Sequence, residues 1–179
     1  MQKREFLRPG EIKIIRQSLG DVAAIAAVGI PLLILLRSVI PISHIPSESM
    51  EPTFHGGDHV LVNNMQYLTK APERGDIVAF DSGFRAGLMN REQVLFVKRV
   101  VGMPGDELQI VNGSLYINGD IFTESYAVGQ QRDFALTKVT PGHYFLMGDN
   151  RDKSYDSRYL GLIPEGRIKG KVLLTLPIN

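Results

Sequence analysis

Pro46 and Pro52 bracket Ser47, Glu48, Ser49 and Met50 in the stretch HIPSESMEPTF, and they hold the backbone extended rather than helical. A serine hydroxyl fixed in this way is a candidate nucleophile, although a plain Ser-Pro linker reads the same. A second stretch, LFVKRVVGMPGDEL, sets Lys98 inside an otherwise apolar run. Strand alternation predicts Phe96, Lys98 and Val100 on one face and Val97, Arg99 and Val101 on the other. A lysine there is either an edge-strand gatekeeper with its head in water, or a desolvated amine whose pKa falls far enough for it to accept a proton. Bringing the pKa from about 10.4 toward 7 or 8 costs about 3 to 5 kcal/mol, which structural lysines rarely incur. The third stretch, MGDNRDKSYDSRYLG, gathers acids, arginines and serines. It reads as a solvated loop tied by Asp/Arg pairs, with a hydroxyl available to orient a neutral lysine.

Other chemistries find less support. There are no cysteines, so disulfides, thiolate metal sites and a cysteine nucleophile are excluded. His55 and His59 are four apart but enclose Gly-Gly without the HExxH glutamate, so no metal site is expected. No GxSxG is present, and none of His44, His55, His59 and His143 lies in a motif that marks a triad base. The chain also lacks a P-loop and a dinucleotide fingerprint, so no cofactor is implied. With 20 basic against 19 acidic residues there is no global field to hold nucleic acid.

The elements that must position these residues read as β. After residue 58 the apolar runs HVLVN, DIVAF, VLFVKRVV, ELQIV, SLYIN, HYFLMG and KVLLTL are short, β-branched and bounded by Gly, Pro, Asn or Asp, which predicts an antiparallel sheet domain with one core. Asn112-Gly113 supplies the two positive φ angles of a tight hairpin, and Asn118-Gly119 marks the next turn. Residues 81–93 and 123–137 read as surface loops.

Ahead of this domain, residues 22–42 are apolar except for Ser38 and for Arg37, which is near enough the outer end to snorkel. They are read as a transmembrane helix, with Pro31 as a kink; a buried core helix and a cleavable signal peptide are the competing readings. Lys3, Arg4, Arg8, Lys13 and Arg16 upstream predict a cytoplasmic N-terminus. Residues 10–20 could form an interfacial helix or remain a solvated basic tail. The expected organisation is a cytoplasmic tail at 1–21, a single span at 22–42 and an extracytoplasmic β domain at 43–179. From Ile40 to Ser49 the chain reaches at most about 30 Å, so any nucleophile stays close to the membrane.

Taken in order, IPSESMEPTF, GGDHVLV, RGDIVAF, VKRVVGMPGDEL and GDNRDKSYDSRYLGLIP resemble the type I signal peptidases, from the anchor to nearly the end of the chain. The resemblance implies a mainly β catalytic domain, of the kind shared with the SOS-repressor peptidases, behind one transmembrane helix in the plasma membrane. It implies Ser49 as nucleophile and Lys98 as general base, with the oxyanion held by the Ser49 N–H and the Ser47 hydroxyl. Ser154 matches a serine that hydrogen-bonds the lysine, and Asp156 with Arg158 a pair that braces the site; Arg99, Asp149, Asn150, Arg151 and Asp152 are structural support. Carboxylates near Lys98 would keep it charged unless arginines neutralise them. Ile45, Pro46, Met50, Phe54 and Val97 fall where the family lines a shallow pocket for small side chains. The implied partners are the signal peptides of exported preproteins and membrane lipid, with the chain acting as a monomer.

Three features depart from the family pattern: Glu48 stands where glycine is common, Ser43 and His44 make a polar lead-in to Ile45, and only about fifty residues separate Lys98 from Gly148. Two alternatives stay open: a conjugation-type maturation peptidase with the same Ser/Lys chemistry, and a non-catalytic membrane-anchored β binding module. A self-cleaving repressor would also use this chemistry, but an anchor separates it from targets in the cytoplasm or on DNA.

Overall fold

A computed structural model describes residues 21–22, 24–32, 42–86 and 92–176, and the chain divides into two units, residues 1–39 and residues 40–179. In the first unit the described residues from 21 to 32 form a helix, α1, whose apolar side chains Val22, Ile25, Val28, Ile30 and Leu32 are exposed. Among the described residues no helix is long and apolar enough to cross a membrane. Much of the span expected at 22–42 lies outside the described residues, as do the basic tail and the helix considered at 10–20.

The second unit is built from eleven described strands in two antiparallel sheets. Strands β1 (Ile42–His44), β2 (His59–Asn63), β3 (Ile77–Ala86), β4 (Glu92–Gly102), β9 (His143–Met147), β10 (Ile163–Pro164) and β11 (Ile168–Leu176) form the larger, ordered β1-β2-β11-β3-β4-β9-β10. Strands β5 (Glu107–Val111), β6 (Ser114–Ile117), β7 (Asp120–Ile121) and β8 (Phe134–Lys138) form the smaller, ordered β7-β6-β5-β8. A short helix, α2 (Ser157–Leu160), is capped at its N-terminus by the Asp156 side chain, which accepts the Arg158 N–H.

Sequence alternation translates directly into burial. HVLVN buries Val60 and Val62, ELQIV buries Leu108 and Ile110, and SLYI buries Leu115 and Ile117. The tight hairpin forms where expected: Asn112 and Gly113 have φ of 50° and 75°, between paired Val111 and Ser114. Asn118 and Gly119 repeat the device between Ile117 and Asp120. Strand β9 is different, because Tyr144, Phe145, Leu146 and Met147 are all buried. Phe145 and Met147 join Val101, Leu108 and Ile117 in the core shared with the smaller sheet, while Tyr144 and Leu146 join Val78, Phe80 and Val100.

Two stretches expected as surface loops are partly strand. Residues 81–86 and 92–93 extend the β3–β4 hairpin beyond a bulge, with Arg85 paired to Gln93 and Ala86 to Glu92. Gly83, at φ 87°, takes the left-handed backbone that the irregularity requires. Phe134–Lys138 pairs with β5 because Phe134 packs against Phe145 in the core, so that an apolar anchor outweighs the polar appearance of its neighbours.

Along β4 the two edges are treated differently. Arg99, Val100 and Gly102 pair with β9 on one side, whereas among the described residues 93–98 pair only with β3. The edge beside Lys98 is therefore open.

Candidate active site

Residues 45–54 are seated by apolar side chains. Ile45, Met50 and Phe54 are buried against Val60, Val62, Ala79 and Val172, with Val97 packed on the same cluster. The loop closes through Ile45 N–H to the Asp58 carbonyl at 2.9 Å and Gly57 N–H to the Ile45 carbonyl at 2.8 Å. Met50 goes down into the core, and its neighbour Ser49 is left against Lys98.

Lys98 is only 3% exposed. Its Nζ lies 2.7 Å from Ser49 Oγ and 2.9 Å from the Val97 carbonyl, and 5.3 Å from the centre of the Phe96 ring. Strand alternation holds here, since Phe96 and Val100 pack in one cluster and Val97 in another. Burial pushes the Lys98 amine down to about 8; Asp156 and Asp149 pull it back up, and Arg158 opposes them. An amine with that pKa is about one-tenth neutral at pH 7 and can accept the proton of the hydroxyl beside it.

Both carboxylates that act on Lys98 are occupied by arginine forks. Arg99 donates to Asp149 through Nε at 2.9 Å and Nη2 at 2.6 Å, and Thr53 Oγ1 donates to the same group at 2.5 Å. Arg158 holds Asp156 through Nε at 2.9 Å and Nη2 at 2.8 Å, while Gly148 N–H and Ser154 Oγ donate to it at 3.0 and 2.6 Å. The expectation that arginines neutralise these acids matches the geometry.

Ser154 departs from its expected contact. Its hydroxyl donates to Asp156 rather than to Lys98, whose partners are Ser49 and the Val97 carbonyl. The Asp156 carboxylate takes the Ser154 proton, and the Lys98 donors go to Ser49 Oγ and the Val97 carbonyl, so the lysine makes no bond to the Ser154 oxygen. Ser47 Oγ lies 3.2 Å from Ser49 Oγ, on the solvent side. Among the described residues the Ser49 N–H has no hydrogen-bond acceptor, while its carbonyl takes the Asn150 N–H at 3.1 Å. Gly148 is essential to this approach: a Cβ there would overlap the Ser49 carbonyl and the Ser154 side chain.

A cleft of about 210 Å³ opens beside Ser49, between residues 44–47 and the free edge of β4. Of the expected pocket residues, Ile45, Pro46 and Val97 line it. Met50 and Phe54 do not; they form the core beneath, because their burial is what anchors the loop. Val94, Leu95, Phe96, Lys153 and Tyr155 line the cleft and were not anticipated.

Another unanticipated feature is a strap at 124–131, within the stretch read as a surface loop. The Glu124 side chain is nearly inaccessible, holding Arg151 at 2.6 Å and accepting the Tyr126 hydroxyl at 2.7 Å; the Tyr126 ring lies 4.0 Å from the Arg99 guanidinium. Val128 N–H bonds the Asp149 carbonyl at 2.9 Å, and Arg151 N–H bonds the Val128 carbonyl at 2.8 Å. The strap thus clamps both sides of the loop that carries Asp149. No local periodicity announces it, since its partners lie some twenty to thirty residues away in sequence.

The family model described as signal peptidase, peptidase S26, matches residues 17–176. A probable signal peptidase I-2 of Synechocystis is 36% identical over 132 residues, covering 73% of this chain but only 60% of that relative. Signal peptidase I of Bacillus licheniformis is 35% identical over 168 residues, covering 87% of each chain. The crystal structure of a signal peptidase I from Enterococcus faecalis aligns at 34% identity with a TM-score of 0.48, covering 59% of this chain and 98% of that one.

Proposed function

The chain belongs to the signal peptidase family, peptidase S26, and on that premise we propose that it is a membrane-bound serine endopeptidase that removes signal peptides from exported preproteins, with Ser49 as nucleophile and Lys98 as general base. The observation that carries the assignment is the 2.7 Å contact between a buried Lys98 amine and Ser49 Oγ at the mouth of an open cleft.

Neutral Lys98 takes the Ser49 proton as Oγ attacks the scissile carbonyl, and the new oxyanion is held by the Ser49 N–H and the Ser47 hydroxyl. The protonated amine returns that proton to the leaving amine, which frees the mature N-terminus and leaves an acyl ester on Ser49. Lys98 then draws a proton from the water that hydrolyses the ester. The Val97 carbonyl helps aim the amine. Ser154 acts one step further out by orienting Asp156, which with Arg158, Asp149 and Arg99 keeps the local charge balanced.

The substrate is read as an extended segment that pairs with the free edge of β4, with its small side chains against Ile45, Pro46 and Val97. Those apolar walls select small-x-small sites by excluding bulk rather than by charge. Every group in this mechanism comes from one chain, so a monomer suffices. The apolar stretch 22–42 and the cations before it support a single span in the plasma membrane, with the N-terminus inside and the catalytic domain outside.

Detergent-solubilised protein incubated with a labelled preprotein is expected to release a product whose new N-terminus follows a small-x-small site. Ser49→Ala and Lys98→Ala should each lower the rate by about a thousandfold or more while membrane insertion and folding persist. In the wild type kcat/KM should rise with pH about a midpoint near 8, because only the neutral amine accepts the proton. Wild-type cleavage by either variant would remove the dyad, and a limb near pH 6.5 that vanishes on mutating one histidine would replace Lys98 with an imidazole base.

A further inference from the structure

Four carboxylates on or against the two loops of the site each carry a cation, and one pair is unlike the other three. Asp149, Asp156 and Glu124 are held by arginines, with acid side chains 0%, 0% and 3% exposed. Glu48 is held by Lys153 in the open, with side chains 53% and 59% exposed. An ion pair so exposed adds little to stability, so what distinguishes it is where its charges stand. Glu48 is the residue between Ser47 and Ser49, on the loop where negative charge must develop during acyl transfer. An uncompensated carboxylate at that point would oppose the oxyanion directly.

Lys153 reaches Glu48 from the opposite loop, and the same contacts that seat the nucleophile deliver it. Its N–H bonds the Asn150 carbonyl at 3.3 Å, and the Asn150 N–H holds the Ser49 carbonyl at 3.1 Å. Its side chain also lines the cleft beside Ser47, Ser49 and Lys98. Glu51 adds a weaker attraction on the same side, so Lys153 faces the acidic part of this loop.

We propose that Lys153 is a positioning residue for the reaction: by pairing with Glu48 it cancels the carboxylate's field at the oxyanion hole and keeps that carboxylate turned toward solvent. The inference rests on the peptidase reading and on Ser47 and Ser49 as oxyanion donors. It also accounts for how an acidic residue is tolerated where a side chain without charge would be safer.

The test is a cycle of wild type, Lys153→Met, Glu48→Gln and the double variant, with kcat and KM measured on one preprotein at low ionic strength and Ser49→Ala as the blank. Lys153→Met is expected to lower kcat by about three- to tenfold with little change in KM. Glu48→Gln added to it should restore kcat, because the charge to be compensated is gone. The defect of the single variant should shrink as salt is added. A wild-type kcat in Lys153→Met, or a defect that Glu48→Gln leaves in place, overturns the proposal. A rise in KM alone also overturns it, and makes Lys153 a substrate contact on the cleft wall. If the wild type itself does not cut, the peptidase reading falls and this inference with it; if wild type cuts, Ser49→Ala does not, and Lys153→Met matches wild type, only this inference falls.

Discussion

Residues 45–54 and residues 148–158 both converge on Ser49, but the first loop is seated by apolar burial and the second by charge. Ile45, Met50 and Phe54 sink into a hydrophobic cluster, and the polar contacts that close the loop around them are mostly backbone hydrogen bonds. The second loop buries Asp149, Arg151, Ser154, Asp156 and Ser157 instead. On the proposed mechanism the division of labour follows from what each loop has to do. A nucleophile needs only a fixed position, which close packing supplies. A lysine that must shed its proton needs a dry site with controlled charge, which packing alone cannot supply.

The charge-held loop is most vulnerable at Asp156. Asp156→Asn keeps the shape but strips the arginine fork and leaves Arg158 partly unpaired in a buried site, so stability measured by urea unfolding should fall by about 3 to 5 kcal/mol. Asp156 also pulls the Lys98 pKa upward, so in whatever fraction remains folded the pH–rate limb should move to the acid side of 8. A loss no greater than that of a surface substitution would mean the second loop is not held by charge.

Met50→Ala probes the other side. Truncating this fully buried side chain should cost about 2 to 5 kcal/mol in the same unfolding experiment, yet leave the pH–rate midpoint near 8 because no charge changes. A shifted midpoint would show that the apolar loop also sets the lysine pKa.

The smallest expected effect is a gain. Lys98 has a pKa of about 8 in the native state against 10.5 for an ordinary lysine. Below pH 8 both states are protonated and the folded protein carries the whole cost of burying the charge, about 3 kcal/mol. Between pH 8 and 10.5 the unfolded state binds more protons, so stability should climb with pH across that window and level off above it. Lys98→Met should therefore abolish cleavage while raising stability at pH 7 by about 2 kcal/mol, after subtracting about 1 kcal/mol for the hydrogen bond to Ser49, and should flatten that climb. Thermal unfolding followed from pH 6 to pH 11 reads both.

Much of the fold was legible because its signals are local. Alternation in HVLVN, ELQIV and SLYIN predicts which side chains are buried, and Asn-Gly pairs predict the turns, since positive φ depends on the residues themselves. The stretches 81–93 and 123–137 look like loops in sequence because their order comes from elsewhere: Phe134 reaches a core it cannot announce, and Glu124 acquires meaning only when Arg151 and Tyr126 meet it. Met50 and Phe54 look like pocket residues for the same reason, since an apolar side chain beside a candidate nucleophile looks alike whether it lines the cleft or supports it.

By itself the sequence determined the reactive types, a serine between prolines and a lysine in an apolar strand, and through its ordered motifs the family to which they belong. That Lys98 is dry, that its amine lies against Ser49 and that Lys153 crosses to Glu48 are settled only on folding. Those are properties of distance and dielectric between segments about fifty and a hundred residues apart, and a chain acquires them only when it closes on itself.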